Sequence, residues 1–344
     1  MTTFAQRLID WQRRHGRRNL PWQRGVSPYR VWLSEIMLQQ TQVATVIPYY
    51  ERFLVRFPGL AELAAARVED VMALWSGLGY YARARNLHKC AQTLMAGHAG
   101  NFPADPAELA RLPGIGRSTA NAIAVFCFGA HAPILDGNVR RLLCRHLGIE
   151  GYPGTATVES QLWRDAEALL PERDIATYIQ AQMDIGAMLC TRGKPRCGTC
   201  PVTDDCVARN SGRVAELPAP RPRKHRPERE ATLLVLRVGD RILLETRPPV
   251  GIWGGLLSLP ELPAPHGDVA AYCRDRLGTT VTAIAPGPVL RHDFTHFRLN
   301  IVSLLCTAAP LAQACEPGLW WTAAADLADA ALPAPVRRLL SAIP

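Results

Sequence analysis

Two hydrophobic periodicities divide the chain. From residue 1 to about residue 210, apolar residues recur every three to four positions, as on one face of an α-helix. The stretch from Tyr29 to Tyr50 shows this spacing at Val31, Trp32, Ile36, Val43 and Ile47. Ser27 and Pro28 form its predicted start, as capping and first-turn residues, and we expect a break near Pro48. Further helices are predicted at 61–75, 82–97, 105–111, 117–128, 138–147, 157–169 and 174–189.

A change of composition and then of period follows. Residues 211–230 are rich in proline and charge and poor in apolar residues, which predicts an extended linker. Beyond it, ATLLVLRV and RILLETR are strand-like runs separated by Gly239-Asp240, a two-residue hairpin signal. A strand pair at 289–306 and helices at 268–277 and 334–342 complete a predicted α+β domain. We therefore expect a helical domain over 1–210, a linker over 211–230 and an α+β domain over 231–344.

The overall charge favours an anionic partner. Lys and Arg outnumber Asp and Glu by 39 to 30, which gives a net charge of +9 and a pI of about 9.2. Such an excess suits a polyanion such as DNA, although many basic proteins bind none. No apolar run approaches the roughly 20 residues that span a bilayer, and the N-terminus lacks the apolar core of a secretory signal. We expect no membrane association.

A group of four cysteines indicates a metal centre. Cys190, Cys197, Cys200 and Cys206 have the spacing C-x6-C-x2-C-x5-C. Four thiolates in one compact loop hold either zinc or an iron–sulfur cluster. Structural zinc usually uses two separated short pairs, and only one C-x-x-C occurs here. The spacing therefore favours an iron–sulfur cluster, with zinc as the alternative.

The segment LPGIGRSTA at 112–120 lies between two predicted helices. Its two glycines, Gly114 and Gly116, permit a tight turn whose backbone N–H groups stay uncovered. The next helix begins at once, so its positive end faces the same place. Together these features predict a notch that binds phosphate without regard to base identity. An ordinary loop is the alternative.

These motifs resemble a known family. LPGIGRSTA, the segment Asp136-Gly137-Asn138-Val139 and the later four cysteines occur in that order in the helix–hairpin–helix superfamily that includes endonuclease III. LPW at 20–22, SEIMLQQTQVATVIPYY at 34–50, LWSGLGYYARARNLHK at 74–89 and ILDGNV at 134–139 resemble its MutY branch, the adenine DNA glycosylases. The likeness covers nearly the whole chain. It implies an all-α glycosylase domain with a [4Fe–4S] cluster and a Nudix-like second domain.

Two acids are the candidate catalytic residues. Glu35 lies in an otherwise uncharged helix, and Asp136 follows an apolar run just before a helix. Alone, they would be read as a surface glutamate and a helix cap. The resemblance instead makes Glu35 the acid that protonates adenine at N7, which requires a pKa raised by burial. It makes Asp136 the carboxylate that stabilises or traps the cationic sugar.

Strand cleavage is not expected. The related endonuclease III family uses a lysine nucleophile at the position of Ser118, and a hydroxyl there forms no Schiff base. The resemblance therefore implies a monofunctional glycosylase. Arg140 departs from the lysine that MutY proteins often carry, one that can form an incidental Schiff base. We expect less adventitious trapping on DNA as a result.

The resemblance also assigns residues that handle the bases, because adenine must be extruded from the duplex before it is attacked. Gln40 and Tyr80 correspond to inserted residues near the orphan base, and Ser118 lies near the opposite lesion. The adenine pocket corresponds to Arg18, Leu20, Trp22 and Gln180. The DNA-binding set is Gln40, Tyr80, Leu112, Gly114, Gly116 and Ser118. Core or surface roles remain the alternatives for these residues.

The second domain is predicted to recognise rather than hydrolyse. Gly255 to Glu261 begins a Nudix-like G-x5-E pattern, but the glutamate-rich remainder that binds Mg²⁺ does not follow. Phe294-Thr295-His296 matches the Phe-Ser-His loop that senses 8-oxoguanine in the family. Threonine keeps the hydroxyl, and its added methyl group alters the fit. A polar turn between strands is the alternative.

Three functions remain to be compared. The first is excision of adenine from A:8-oxoguanine or A:G mispairs in double-stranded DNA. The second is an endonuclease III-type glycosylase/lyase for pyrimidines, and the third is a DNA-binding scaffold without activity. Ser118 and the second domain disfavour the second, while Glu35 and Asp136 disfavour the third. Composition rich in Ala, Arg and Pro suggests a GC-rich bacterial genome, so we expect a monomeric, cytoplasmic, nucleoid-associated enzyme.

Overall fold

The structure is a computed structural model that describes residues 2–222, 226–248, 251–263, 267–294, 296–310, 318–328 and 330–343. The chain forms two compact units. One comprises Met1–Ala64 with Lys89–Arg223, and the other comprises Ala65–His88 with Lys224–Pro344. The order of elements confirms the predicted fold class, because helices fill the N-terminal part and strands begin only near residue 228.

The N-terminal part is helical throughout. Its helices are α1 Phe4–His15, α2 Pro28–Leu38, α3 Val43–Arg56, α4 Leu60–Ala65, α5 Val68–Trp75, α6 Ala82–Gly97, α7 Pro106–Leu109, α8 Arg117–Phe128, α9 Gly137–Leu147, α10 Ala156–Ala168, α11 Ile175–Met188 and α12 Val207–Asn210. The predicted segment 61–75 is two helices, α4 and α5, and the other predicted bounds agree to within a few residues. Among the described residues, none of the helices combines the length and apolar character needed to cross a bilayer.

The predicted start of α2 is confirmed, but the predicted break is wrong. Ser27 caps α2 by accepting a hydrogen bond from the Arg30 N–H at 3.3 Å, and Pro28 is the first residue of the helix. The chain leaves the helix after Leu38 and begins α3 at Val43, with Pro48 inside it. Pro48 lies within two turns of the new helix start, where it removes only one helical hydrogen bond.

One hydrophobic cluster of the first unit is formed mainly by four helices. Apolar faces of α1, α8, α9 and α11 pack together around a cluster of buried side chains that includes Leu8, Leu143, Tyr178 and Ile185. Each of these four is essentially inaccessible to solvent. This packing brings the N-terminus of α9 next to α11 and therefore positions residues that are distant in the sequence.

The second unit contains a mixed sheet. Its described strands are β1 Glu228–Val238, β2 Arg241–Thr246, β3 Leu257–Ser258, β4 Glu261–Leu262, β5 Thr279–Asp293, β6 Arg298–Pro310 and β7 Leu319–Ala323. Strands β3-β2-β1-β6-β5 lie in that order, β4 pairs with β1 and β7 with β2. Helices α13 Val269–Leu277 and α14 Ala334–Ser341 accompany it. The α5 region, the N-terminal end of α6 and the turn between them belong to the same unit.

Both strand predictions are confirmed. Val238 pairs with Arg241 across Gly239-Asp240, so β1 and β2 form the expected hairpin. β5 and β6 form the expected antiparallel pair, which is longer than the 289–306 segment. Leu299 and Ile301, the alternating apolar residues of β6, are buried. The first three residues of β1 fall within the predicted linker, because Glu228 already pairs with Arg298 of β6.

Candidate active site and metal loop

One cleft in the first unit is lined by both predicted catalytic acids and by all four predicted adenine-pocket residues. It is lined by residues of α1, α2, α8, α9 and α11 and of the loops between them. Glu35 comes from α2 and Asp136 from the N-terminus of α9, so two acids about 100 residues apart in the sequence line the same cleft. The other predicted residues that line it are Arg18, Leu20, Trp22, Gln40, Ser118, Arg140 and Gln180.

The environment of Glu35 favours its protonated form. The residue is only partly exposed to solvent. Burial of its carboxyl group raises the pKa of Glu35 to about 8, and the charge of Asp136 adds to the rise. The described residues donate no hydrogen bond to this carboxyl group. A carboxylic acid that is neutral at pH 7 and open to a cleft can act as a proton donor.

Asp136 is held in a different environment. It caps α9, since its Oδ1 accepts a hydrogen bond from the Val139 N–H at 2.7 Å and its Oδ2 accepts one from Asn138 Nδ2 at 3.3 Å. Burial raises the pKa of Asp136, while these hydrogen bonds and the Arg141 guanidinium oppose the rise. Each of these groups stabilises the ionised form. Asp136 therefore has groups around it that oppose the effect of burial, whereas the described residues offer no such hydrogen bond to the Glu35 carboxyl group.

The glycine-rich turn has the open backbone that the sequence predicts. Gly114 has a φ of +76°, a left-handed conformation that glycine adopts without strain, and Gly116 is the N-cap of α8. A Cβ atom added to Gly116 would meet nothing within 4 Å, so the start of α8 is uncovered. The side chain of Leu112, just before the turn, is buried in the protein.

Ser118 connects the turn to Asp136. Its Oγ accepts a hydrogen bond from the Leu135 N–H at 3.0 Å, and Leu135 immediately precedes the acid. Arg140 is also fixed, because its guanidinium donates to the Leu135 and Pro153 carbonyls and pairs with Glu159. Both side chains therefore help to hold the segment that carries Asp136.

Two predicted insertion residues have unusual backbones. Gln40, in the loop between α2 and α3, has a φ of +57°, and Tyr80, in the other unit, has a φ of +49°. Left-handed backbone costs a non-glycine residue about 1 kcal/mol. Both are exposed, and 49% of the Tyr80 surface is open to solvent. Trp22, by contrast, is 8% exposed and packs edge-on against Tyr50, so it is a core residue that also borders the cleft.

The four cysteines surround a small cavity of their own. Cys190, Cys197, Cys200 and Cys206 line it together with apolar residues such as Leu142, Leu189 and Val202. Among the described residues, no three His, Cys, Asp or Glu side chains are arranged to hold a single metal ion. The buried Arg145 donates to Cys190 Sγ at 3.4 Å. A buried cation beside four thiolates and an apolar lining fit an iron–sulfur cluster.

The predicted lesion-reading residues lie in the second unit. Phe294 stacks on Phe297 with 4.5 Å between ring centroids, and its ring contacts His292 and His296. The ring centroid of Trp253 lies 6.2 Å from that of Phe294. Thr295 lies outside the described residues. The loop after β5 is therefore supported by an aromatic cluster.

Sequence reasoning missed a buried network beside Gln180, one of the predicted adenine-pocket residues. Asp184 of α11 is fully buried and accepts hydrogen bonds from Arg17, Gln12 and Gln180. The available signal was a lone acid in the otherwise uncharged helix IATYIQAQMDIGAM, the same signal that marked Glu35.

Comparison with known proteins agrees with this architecture. The HhH-GPD superfamily of base excision DNA repair proteins matches residues 33–167, the iron-sulfur binding domain of endonuclease III matches 190–206, and the NUDIX domain matches 231–342. A thermostable thymine-DNA glycosylase structure covers 60% of this chain and 95% of its own, with a TM-score of 0.55 and 25% identity. An endonuclease III–DNA complex has a TM-score of 0.52 at 21% identity, covering 60% and 94%.

The fold and the cysteine loop define a helix–hairpin–helix DNA N-glycosylase with an iron–sulfur cluster. The adenine DNA glycosylase of Buchnera aphidicola subsp. Schizaphis graminum is 33% identical over 98% of this chain and 97% of its own length. The enzyme of Buchnera aphidicola subsp. Baizongia pistaciae is 38% identical over 88% and 86%, and that of Mus musculus 32% over 98% and 77%. The chain belongs to the adenine DNA glycosylase family of base excision repair.

Proposed function

We propose that this enzyme removes adenine opposite 8-oxoguanine or guanine in double-stranded DNA, as a monomer and without cutting the strand. The observation that carries the proposal is the pair of acids in one cleft: burial raises the pKa of Glu35 to about 8, while Val139, Asn138 and Arg141 oppose the rise in the pKa of Asp136. Such a pair supplies both the acid and the stabilising charge that hydrolysis of an N-glycosidic bond requires.

The two acids have separate roles in the reaction. Glu35 donates its proton to N7 of the extruded adenine, which makes the base a better leaving group. Asp136 stabilises the positive charge that develops on the sugar, and its hydrogen bonds from Asn138 and the α9 backbone keep it ionised and in place. The N-glycosidic bond then breaks and adenine leaves; water adds to the sugar carbon and gives its proton to the Glu35 carboxylate, which leaves an abasic site.

The absence of an amine in the cleft supports the monofunctional assignment. The whole chain has three lysines, at 89, 194 and 224, and no lysine is among the described residues that line the cleft. Ser118 occupies the hairpin position and is engaged with the Leu135 N–H. Arg140 carries a guanidinium rather than a primary amine, and its hydrogen bonds to two carbonyls hold it in place, so it forms no Schiff base.

We assign DNA contacts to the uncovered turn and the two strained residues. The N–H groups at Gly114 and Gly116 bind a backbone phosphate without reading sequence. Gln40 of the first unit and Tyr80 of the second are each assigned to insertion into the duplex. A backbone that is already fixed in a strained conformation favours insertion of its side chain. The entropic cost of ordering that segment arises on folding and not on DNA binding.

Recognition of the opposite base is assigned to the C-terminal part, residues 231–344, and catalysis to residues 1–210, joined by the linker 211–230. The aromatic cluster supports Phe294 and His296 as reading residues, and Thr295, which lies between them in the sequence, is assigned the same role. The incomplete Nudix pattern favours recognition without hydrolysis.

We assign the cluster ligands to Cys190, Cys197, Cys200 and Cys206. A bound cluster would crosslink the loop from 190 to 206 through these four cysteines. Arg192, Lys194 and Arg196 are exposed on this loop, where their charges can meet DNA phosphates.

The proposal is tested with four duplexes containing A:8-oxoguanine, A:G, A:T or an oxidised pyrimidine, each analysed with and without alkali. We expect strand breaks only after alkali, and only at A:8-oxoguanine and A:G. Glu35→Gln should bind the mispair without product, and Glu167→Gln, at an exposed position of α10, is the matched control that should remain active. Nicking without alkali would contradict the monofunctional assignment. Equal excision from A:T would contradict mispair recognition.

A further inference from the structure

A buried carboxylate with a saturated set of donors lies behind the adenine-pocket residue Gln180. Asp184 Oδ1 accepts from Arg17 Nε at 2.9 Å, Arg17 Nη2 at 2.6 Å and Gln180 Nε2 at 2.9 Å. Its Oδ2 accepts from the Arg17 backbone N–H at 2.8 Å and from Gln12 Nε2 at 3.0 Å. The side chain of Asp184 is fully buried, while Arg17 and Gln180 reach the cleft.

This network determines which way the Gln180 amide faces. An ionised carboxylate only accepts hydrogen bonds, so Gln180 must turn its nitrogen towards Asp184. The Gln180 Oε1 atom therefore faces away from Asp184. No described residue donates a hydrogen bond to this oxygen. Gln180 lines the cleft and is partly exposed, so this oxygen is available to a bound base.

An acceptor at this position discriminates among purines. Adenine carries an amino group at C6, which donates to an oxygen, whereas hypoxanthine and guanine carry a carbonyl there, which places two acceptors face to face. A site that offers a fixed acceptor rejects the carbonyl because two desolvated lone pairs are left unsatisfied. The selectivity depends on the amide being unable to flip, and that depends on Asp184.

We propose that Asp184 is a positioning residue that locks the Gln180 amide and so selects a base with an amino group at C6. The inference rests on the proposed place of Gln180 in the adenine pocket. Arg17 forms an ion pair with Asp184 at 2.6 Å, and a carboxylate in such a pair only accepts hydrogen bonds.

The test compares excision of adenine and of hypoxanthine, each opposite guanine, under single-turnover conditions. In Asp184→Asn, the new amide can donate, so Gln180 can turn its own N–H groups towards the base. We expect slower adenine excision and an adenine-to-hypoxanthine rate ratio at least ~10-fold smaller than in the wild type. Asp184→Glu remains acceptor-only and should keep the wild-type ratio even where its rate is lower. A simple loss of stability lowers both rates and leaves the ratio unchanged.

A second variant keeps the test decisive if Asp184→Asn does not fold, as judged by cluster absorbance and mispair binding. Gln180→Met removes the amide oxygen that accepts the hydrogen bond, so it should lower the adenine-to-hypoxanthine rate ratio. An unchanged ratio in the folded variants overturns the inference. Wild-type protein that excises no adenine from A:G or A:8-oxoguanine would instead overturn the proposed function, so the two failures are distinguishable.

Discussion

Replacement of Glu35 by glutamine should abolish base excision and yet stabilise the folded protein above neutral pH. In the unfolded chain, Glu35 has its ordinary pKa of 4.5 and is ionised at pH 7, whereas the folded protein raises the pKa to about 8 and keeps the proton. Between these two values the folded state binds more protons than the unfolded state. Stability therefore falls as pH rises through this window, and it levels off above the folded pKa.

The magnitude follows from the width of the window. Each pH unit above 4.5 costs about 1.4 kcal/mol, which gives roughly 3 kcal/mol at pH 7 and an upper limit of roughly 5 kcal/mol above pH 8. Water in the cleft screens part of this cost, because Glu35 is not completely enclosed. Glutamine has nearly the same shape and carries no proton to lose, so the variant avoids the cost at every pH.

The assay is thermal unfolding of wild type and Glu35→Gln at pH 5 and pH 8, at one scan rate and under anaerobic conditions. For a domain of about 200 residues, 1 kcal/mol corresponds to about 2–4 °C in Tm. The variant should match the wild type closely at pH 5 and exceed it by about 5 °C or more at pH 8. Glu167→Gln is the control, and its effect should be small at both values.

Two further measurements complete this test. Infrared titration should show a protonated carboxyl band that disappears as pH rises through about 8 and is missing in Glu35→Gln. Asp136→Asn removes the like charge and should shift this titration to lower pH, although burial, the larger cause, remains. A stability difference between Glu35→Gln and wild type that does not change from pH 5 to pH 8 would refute the reasoning.

Three other outcomes are expected. Ser118→Lys places an amine in the cleft and should increase borohydride trapping on abasic DNA at least ~10-fold over wild type, while Ser118→Ala should not. Cys200→Ser should lose the visible absorbance of the cluster and lower Tm by several degrees, whereas Cys90→Ser, at a buried position away from the cluster, should retain the absorbance. Double replacement of Arg192 and Lys194 by alanine should reduce the slope of log affinity for DNA against log salt by about 1–2, and an unchanged slope would exclude phosphate contacts from this loop.

The backbone conformations of Tyr80 and Gln40 could not be predicted from sequence motifs. Tyr80 and Gln40 were found through resemblance, yet nothing in their types announces a left-handed backbone. The break predicted near Pro48 was wrong because proline disrupts a helix only when several helical turns precede it. Here α3 begins at Val43, only five residues before Pro48. The real break falls at residues 39–42, where the chain turns with Gln40 at positive φ.

The sequence by itself determined the helices, the hairpin turn, the cysteine spacing and the change from helical to strand periodicity, because each depends on residues near one another in the chain. Only the tertiary structure brought Glu35 to Asp136, gave Glu35 its high pKa and placed Asp184 behind Gln180. Desolvation and charge interaction act through space between segments about 100 residues apart. The local pattern of apolar and polar residues does not show which distant segments will meet in the folded protein.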